Sequence, residues 1–216
     1  LRKLKQMAGK QYYEYNEDDV NKFLNAIEKE ALRDEVPIIR KETQSLLRYL
    51  IKAHQPEKIL EVGTATGFSG LLMWEASGKK ASITTIEKYE KRIPEARSNF
   101  EKAGASDSIT LLEGDALEIL SAMQGEFPFI FMDAAKAQYI NLLPDVTRLL
   151  TKGGILVTDN ILKGGDILES RYAVTRRDRT IHTRVRDYLY ELTHSDTYET
   201  VILNNGDGVS LSVKLK

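Results

Sequence analysis

The chain contains no cysteine, which removes disulfides, thiolate metal ligands and a cysteine nucleophile together. That absence agrees with a reducing cytoplasm. No apolar run approaches the roughly 20 residues that a membrane-crossing helix needs, so the expectation is a protein that does not span a bilayer. Residues 1–10 are basic and polar, without the apolar centre of a signal peptide. Leu1 in place of a methionine points to missing leading residues or to processing. No internal repeat, low-complexity tract or Pro/Gly-rich linker interrupts the 216 residues. That length suits one α/β domain, with residues 1–54 as a helical extension packed on a core of residues 55–216. Net charge is low as well: at −1 it predicts no polyanionic partner for the chain as a whole. The distribution differs, because Arg171, Arg176, Arg177, Arg179, Arg184 and Arg186 lie within one short stretch. A local patch of this kind can bind nucleic acid whatever the total charge.

The apolar pattern alternates between two periods. Residues 17–34 and 40–53 carry helical spacing, with Val20, Phe23, Leu24 and Ile27 in the first and Leu46, Leu47, Leu50 and Ile51 in the second. Pro37 separates them by disfavouring helix at the residue before it. From residue 58 onward short apolar runs read as strands at 58–62, 81–87, 108–113, 129–133 and 155–159. Amphipathic stretches at 69–76, 90–103, 116–123 and 137–150 read as helices. Alternation of this kind predicts a doubly wound, mainly parallel sheet with helices on both faces. A longer helix at 177–193 follows. The runs 198–203 and 209–215, joined by Asn204-Asn205-Gly206-Asp207-Gly208, read as a closing hairpin. Ile181, Val185, Tyr188, Leu189 and Leu192 give the long helix an apolar face, with Arg176, Arg179 and Arg186 on the other side.

In open α/β sheets ligands sit beyond the carboxyl ends of the strands, where strand order reverses. The first strand runs into Glu61-Val62-Gly63-Thr64-Ala65-Thr66-Gly67-Phe68-Ser69. Gly63 and Gly67 allow a tight turn and close approach to a ligand, and Ser69 near the helix start can hold a carboxylate. The spacing is Gly-x-x-x-Gly, whereas a dinucleotide pyrophosphate site wants Gly-x-Gly-x-x-Gly, which makes an NAD-dependent oxidoreductase a remote alternative. Glu87 ends the second strand, where a carboxylate can accept two ribose hydroxyls. Asp115 and Ala116 follow the third strand, placed to border an adenine. A strand–helix turn alone is ordinary turn chemistry; the acid ending the next strand argues for a nucleoside cofactor.

Asp133 ends the fourth strand and is followed by Ala134-Ala135-Lys136, while Asp159-Asn160 ends the fifth. Either acid alone reads as a helix cap. Together, two carboxylates and a carboxamide form a hard oxygen set suited to Mg²⁺. This combination resembles the catechol and caffeoyl-coenzyme A type O-methyltransferases. The resemblance implies the class I methyltransferase fold, a seven-stranded Rossmann-like sheet with an antiparallel last strand. It implies S-adenosylmethionine as cofactor, lined by Val36, Glu61, Gly63, Phe68, Ser69, Glu87, Asp115, Ala116 and Asp133. It implies Mg²⁺ or another hard divalent cation on Asp133, Asp159 and Asn160, Lys136 as the base beside Asp133 in the catalytic centre, and a homodimer.

The arginine-rich segment leading into Val185-Arg186-Asp187-Tyr188, the Asp133-Ala134-Ala135-Lys136-Ala137-Gln138-Tyr139 stretch and Gly206-Asp207-Gly208-Val209-Ser210 are similar to the bacterial tRNA 5-hydroxyuridine methyltransferase branch. That likeness implies methylation of a wobble uridine in a tRNA anticodon loop, with the six arginines tracking phosphates. The base offers a 4-oxo group beside its 5-hydroxyl, and the loop presents it unpaired. The alternatives are a small catechol-like substrate on the same site and a catalytically idle RNA-binding module. His182 and His194 read as surface histidines, and Trp74 as core behind the first strand's helix.

Overall fold

The computed structural model describes residues 19–162, 167, 169–170 and 172–216. Two helices, α1 (Asp19–Arg33) and α2 (Lys41–His54), precede β1 (Lys58–Val62) and α3 (Phe68–Ala76). Then come β2 (Ser82–Glu87), α4 (Ile93–Lys102), β3 (Ile109–Glu113), α5 (Ala116–Ala122) and β4 (Phe127–Met132). A single 3₁₀ turn at Lys136–Gln138 leads into α6 (Tyr139–Leu149) and β5 (Leu150–Thr158). The chain ends with α7 (Arg179–His194), β6 (Tyr198–Leu203) and β7 (Val209–Lys214).

The seven strands form one sheet in the order β3-β2-β1-β4-β5-β7-β6. All neighbours from β3 to β5 pair parallel, and β7 runs antiparallel to both β5 and β6. The expected doubly wound sheet with an antiparallel last strand is therefore the observed one. Parallel strands have helices on both faces, so their runs are apolar nearly throughout: four of the five β1 residues are buried. Alternate residues serve two cores. Ile59, Phe129, Phe131 and Val157 face the layer of α1 to α4, with Leu24, Ile27, Leu47, Ile51, Leu72 and Phe100. Leu60, Val62, Ile130, Met132 and Leu156 face α5 to α7, with Leu120, Tyr139, Leu142, Val146, Tyr188 and Leu192. The N-terminal helices thus share the first of these cores with α3 and α4. Trp74 is buried in that core, its ring covered by the Lys79 ammonium 5.0 Å away.

Several boundaries differ from the sequence expectation, and three of the differences have a clear local cause. The helix at 137–150 is split, because its first turn tightens into the 3₁₀ segment. Leu150 already belongs to β5, whose irregular pairing between Phe127 and Phe129 admits Gly153 and Gly154. The last helix begins at Arg179, after Thr175 and Asp178 close a side-chain hydrogen bond at 2.7 Å. His182 is a correction as well: it is buried, with Nε2 3.1 Å from the Glu169 carbonyl, while His194 is exposed and stacked on Tyr190. Position 182 lies three residues before Val185 on the apolar face, so the helix carries it inward. Among the described residues no helix is long and apolar enough to cross a membrane.

Candidate active site

Strand order reverses between β1 and β4, because the chain leaves β3 at one edge and re-enters beside β1. The carboxyl ends of these strands therefore open onto a crevice. Two adjoining cavities fill it. One, of about 440 Å³, is lined by residues including Val36, Arg40, Gly63, Ser69, Glu87, Asp133, Asp159 and Asn160. The other, of about 310 Å³, is lined by Gly63, Glu87, Tyr89, Asp115, Ala116, Asp133 and others. Both volumes are within the ordinary range for small-molecule sites. Phe68 lines the first cavity, so every cofactor residue expected from the sequence except Glu61 is on one of the two walls.

Glu61 lies directly behind that wall. It is wholly buried and accepts from Ser69 Oγ at 2.5 Å and Thr85 Oγ1 at 2.6 Å. Burial pushes its carboxyl up to about 7, against the pull of those two hydroxyls. Glu87 accepts three backbone N–H groups, from Ala65 at 2.8 Å, Lys88 at 2.9 Å and Tyr89 at 2.7 Å. Its orientation is set before any ligand arrives. Asp115 caps α5 by accepting from Leu117 N–H at 2.9 Å, with Lys88 Nζ 2.9 Å from its other oxygen. Gly63 joins the two strand ends: at φ +106°, a Cβ there would lie 2.3 Å from the Asp133 carbonyl oxygen. Only glycine allows the backbones to approach this closely.

On the far side of Gly63, Met132 and Thr158 are register partners, so Asp133 and Asp159 leave adjacent strand ends together. Asn160 adopts φ +61°, a left-handed conformation that asparagine tolerates better than most residues. Its side chain turns back to donate Nδ2–H to Asp133 Oδ1 at 2.9 Å. Asp159 is 2% exposed and accepts at Oδ1 from its neighbour's backbone N–H at 2.8 Å and from Thr43 Oγ1 at 3.2 Å. Burial first, and then the nearby Asp133 charge, push the Asp159 carboxyl up to about 7. Asp133 is raised by burial too, opposed by the Asn160 hydrogen bond and by the charge of Lys136. Two carboxylates that resist ionisation side by side form a donor set a hard divalent cation would satisfy. The set has two acids and one amide; among the described residues no three His, Cys, Asp or Glu side chains gather as a metal cluster.

A family model for O-methyltransferases matches residues 14–215. The chain belongs to the O-methyltransferase family. It is 32% identical over 178 residues to caffeoyl-CoA O-methyltransferase 1 of Eucalyptus globulus, covering 76% of this chain and 70% of that one. Catechol O-methyltransferase of Mycobacterium tuberculosis is 33% identical over 120 residues, 55% of this chain and 54% of that protein. The match thus spans about half the length of that relative. A Staphylococcus aureus structure, provisionally described as a caffeoyl-CoA O-methyltransferase, superposes with a TM-score of 0.84 at 30% identity, covering 99% of each chain.

The arginines expected to track phosphates are distributed differently from the acids. None of the described ones lines either cavity. Arg184 donates to the Ala137 carbonyl at 3.3 Å, Arg186 to the Ile167 carbonyl at 3.3 Å and Arg179 to the Val174 carbonyl at 3.4 Å. These three brace the segment before α7 and the 3₁₀ turn. Arg176 and Arg177 are exposed, and Arg171 lies outside the described residues. Sequence reasoning passed over Thr43, Thr85, Arg40 and Asp207. Only Thr85 carried a local signal, being two residues before Glu87 on the same strand face.

Proposed function

We propose that this protein transfers the methyl group of S-adenosylmethionine to a hydroxyl that has a second oxygen beside it. The observation that carries the reading is the pair of buried acids, Asp133 and Asp159, with Asn160 between them at the mouth of a nucleoside-sized crevice. Glu87, already fixed by three backbone donors, accepts the ribose hydroxyls. Ser69, on the cavity wall and held from behind by Glu61, receives the charged end of the methionine moiety, and Asp115 and Ala116 border the adenine. Asp133, Asp159 and Asn160 would hold a hard divalent cation such as Mg²⁺, which when bound lowers the pKa of the acceptor hydroxyl and orients its two oxygens. Lys136, charged at rest beside Asp133, first releases its own proton and then takes the hydroxyl proton. The oxygen then forms its bond to the methyl carbon as the sulfur–methyl bond breaks. The electron pair goes to sulfur, leaving neutral S-adenosylhomocysteine sulfur and a protonated Lys136. Holding donor and acceptor in line is worth a large share of the rate.

We read the acceptor as 5-hydroxyuridine in a tRNA anticodon loop. Support comes from Arg176 and Arg177, exposed just before α7, and from the Arg184–Ala137 contact that ties this helix to the turn bearing Lys136. A small catechol-like acceptor is the second reading, favoured by cavities that none of the described α7-side arginines lines. Labelled S-adenosylmethionine with Mg²⁺, offered to tRNA bearing 5-hydroxyuridine and separately to catechols, decides between them. Label in tRNA, abolished by chelator and lowered at least about 10³-fold by Asp159→Ala, is the expected result. Labelled catechols with unlabelled tRNA would overturn the RNA acceptor, and transfer indifferent to chelator and to Asp159→Ala would overturn the cation.

A further inference from the structure

Asp159 is held from three directions. Its backbone carbonyl accepts from Tyr139 Oη at 3.1 Å, and its carboxylate accepts from its neighbour's N–H and from Thr43. Both carboxylate bonds end on the same oxygen, Oδ1. Thr43 is itself wholly buried, in the first turn of α2 and 116 residues away along the chain. A buried hydroxyl could bond its own helix backbone instead, four residues back. Here it reaches across to a strand-end acid.

The position of that hydroxyl is braced by a closed ring of contacts. Arg40, at the N-cap of α2, pairs with Asp207 at 2.9 Å. The next turn residue, Gly206, approaches so closely that a Cβ would lie 3.2 Å from Arg40 Cδ and 3.7 Å from Thr43 Oγ1. The same turn accepts from the chain just beyond Asn160: Leu162 N–H donates to the Asp207 carbonyl at 2.8 Å and Ile161 N–H to the Gly208 carbonyl at 3.0 Å. Residues 159 to 162, the 206–208 turn, Arg40 and Thr43 therefore constrain one another. The exposed ion pair alone contributes little; closure of the ring gives it leverage.

We infer that Thr43 is a positioning residue for a divalent cation: by occupying Oδ1 of Asp159 it leaves Oδ2 as the oxygen turned toward the crevice. This rests on the cation reading given above. A hydroxyl that only satisfies a buried acid would affect folding without selecting an oxygen, and the two roles separate experimentally. Partners that orient a metal ligand typically change metal affinity 10- to 100-fold when removed.

The test titrates the full chain with Mn²⁺ and follows the free-ion paramagnetic resonance signal, with S-adenosylmethionine affinity measured in parallel. Thr43→Val, which keeps the side-chain shape and removes the donor, is expected to weaken Mn²⁺ binding about tenfold or more. Thr43→Ser should restore it to within about threefold, and the cofactor affinity should be unchanged because Thr43 is on neither cavity wall. Arg40→Gln, at an exposed position, should give a smaller loss of about two- to threefold and serves if the valine variant does not fold. Parent-like Mn²⁺ affinity in Thr43→Val, or in Arg40→Gln where the valine variant is unfolded, would overturn the inference. So would equal losses of Mn²⁺ and cofactor affinity in Thr43→Val, the comparison being confined to Thr43 because Arg40 lines the first cavity. A parent that transfers methyl groups yet binds no Mn²⁺ would overturn the cation reading itself.

Discussion

Glu87, at the end of β2, is surrounded by backbone N–H groups from Ala65, Lys88 and Tyr89, whereas Asp159, at the end of β5, receives one backbone N–H and one hydroxyl on a single oxygen. The contrast extends along the rim. On the β1–β3 side each acid has donors of its own: two hydroxyls for Glu61, three amides for Glu87, and an amide with an ammonium for Asp115. On the β4–β5 side two buried acids leave adjacent strands, and burial together with the Asp133 charge makes Asp159 harder to ionise. A rim whose carboxylates are already held suits neutral hydroxyls and a ligand's ammonium. A rim where two buried acids leave adjacent strands side by side suits a cation. One sheet edge thus carries two chemistries, divided at Gly63.

The sharpest way to break this division is to separate its halves at that seam. Gly63→Ala would put a Cβ against the Asp133 carbonyl and hold a positive φ that alanine disfavours. Backbone cannot yield as a flexible side chain can. The expected loss is about 3 kcal/mol, read by urea unfolding, or a drop of about 6–12 °C in Tm for a chain of this size. Cofactor binding should weaken together with it, since both rims move. An alanine variant as stable as the parent would mean that the two rims are not rigidly joined.

The second effect separates the rims by pH. Glu61 is raised to about 7 in the folded protein by burial, while in the unfolded chain it titrates near its ordinary value. The folded state therefore holds the proton more tightly. Stability from this source is complete at low pH and is lost as pH rises through about 7. Asp159 acts in the same direction. The ligand-free protein should melt higher at pH 5.5 than at pH 8.5, by something on the order of 2 kcal/mol. Glu61→Gln should remove one part of this slope, and saturating Mg²⁺ the part that belongs to Asp159. A slope untouched by Mg²⁺ would remove the contrast between the rims.

Much of this rim was legible because strand ends announce themselves. Short apolar runs ending in Glu61, Glu87, Asp133 and Asp159 put polar groups where parallel sheets bind ligands, and the turn at Gly63 supplied the close approach. What escaped had no local pattern. Thr43 meets Asp159 only after α2 docks, and the Arg40–Asp207 pair joins residues that a linear reading assigns to a helix start and a hairpin turn. The first half of β5, Leu-Thr-Lys-Gly-Gly, has turn chemistry and becomes strand because β4 supplies an edge with an irregularity to match. The arginines of the last helix looked alike in sequence. The carbonyls that engage Arg179, Arg184 and Arg186 come from other parts of the fold, and no spacing rule distinguishes them from Arg176 and Arg177.

The smallest effect tests whether the β1–β3 rim owes its order to amides or to side-chain charge. Lys88 pairs with Asp115 at 2.9 Å, but the lysine side chain is 70% exposed, and exposed pairs of this kind contribute roughly 0–1 kcal/mol. Lys88→Met should therefore cost no more than about 0.5 kcal/mol. Asp115→Ala removes the acceptor for Leu117 N–H at the start of α5 and should cost about 1 kcal/mol, the usual value for losing a helix cap. If the order were reversed in urea unfolding, with Lys88→Met the more damaging, the ammonium and not the backbone would be holding Asp115. The β1–β3 rim would then depend on charge compensation much as its neighbour does, with a lysine supplying what a divalent cation would supply to Asp133 and Asp159.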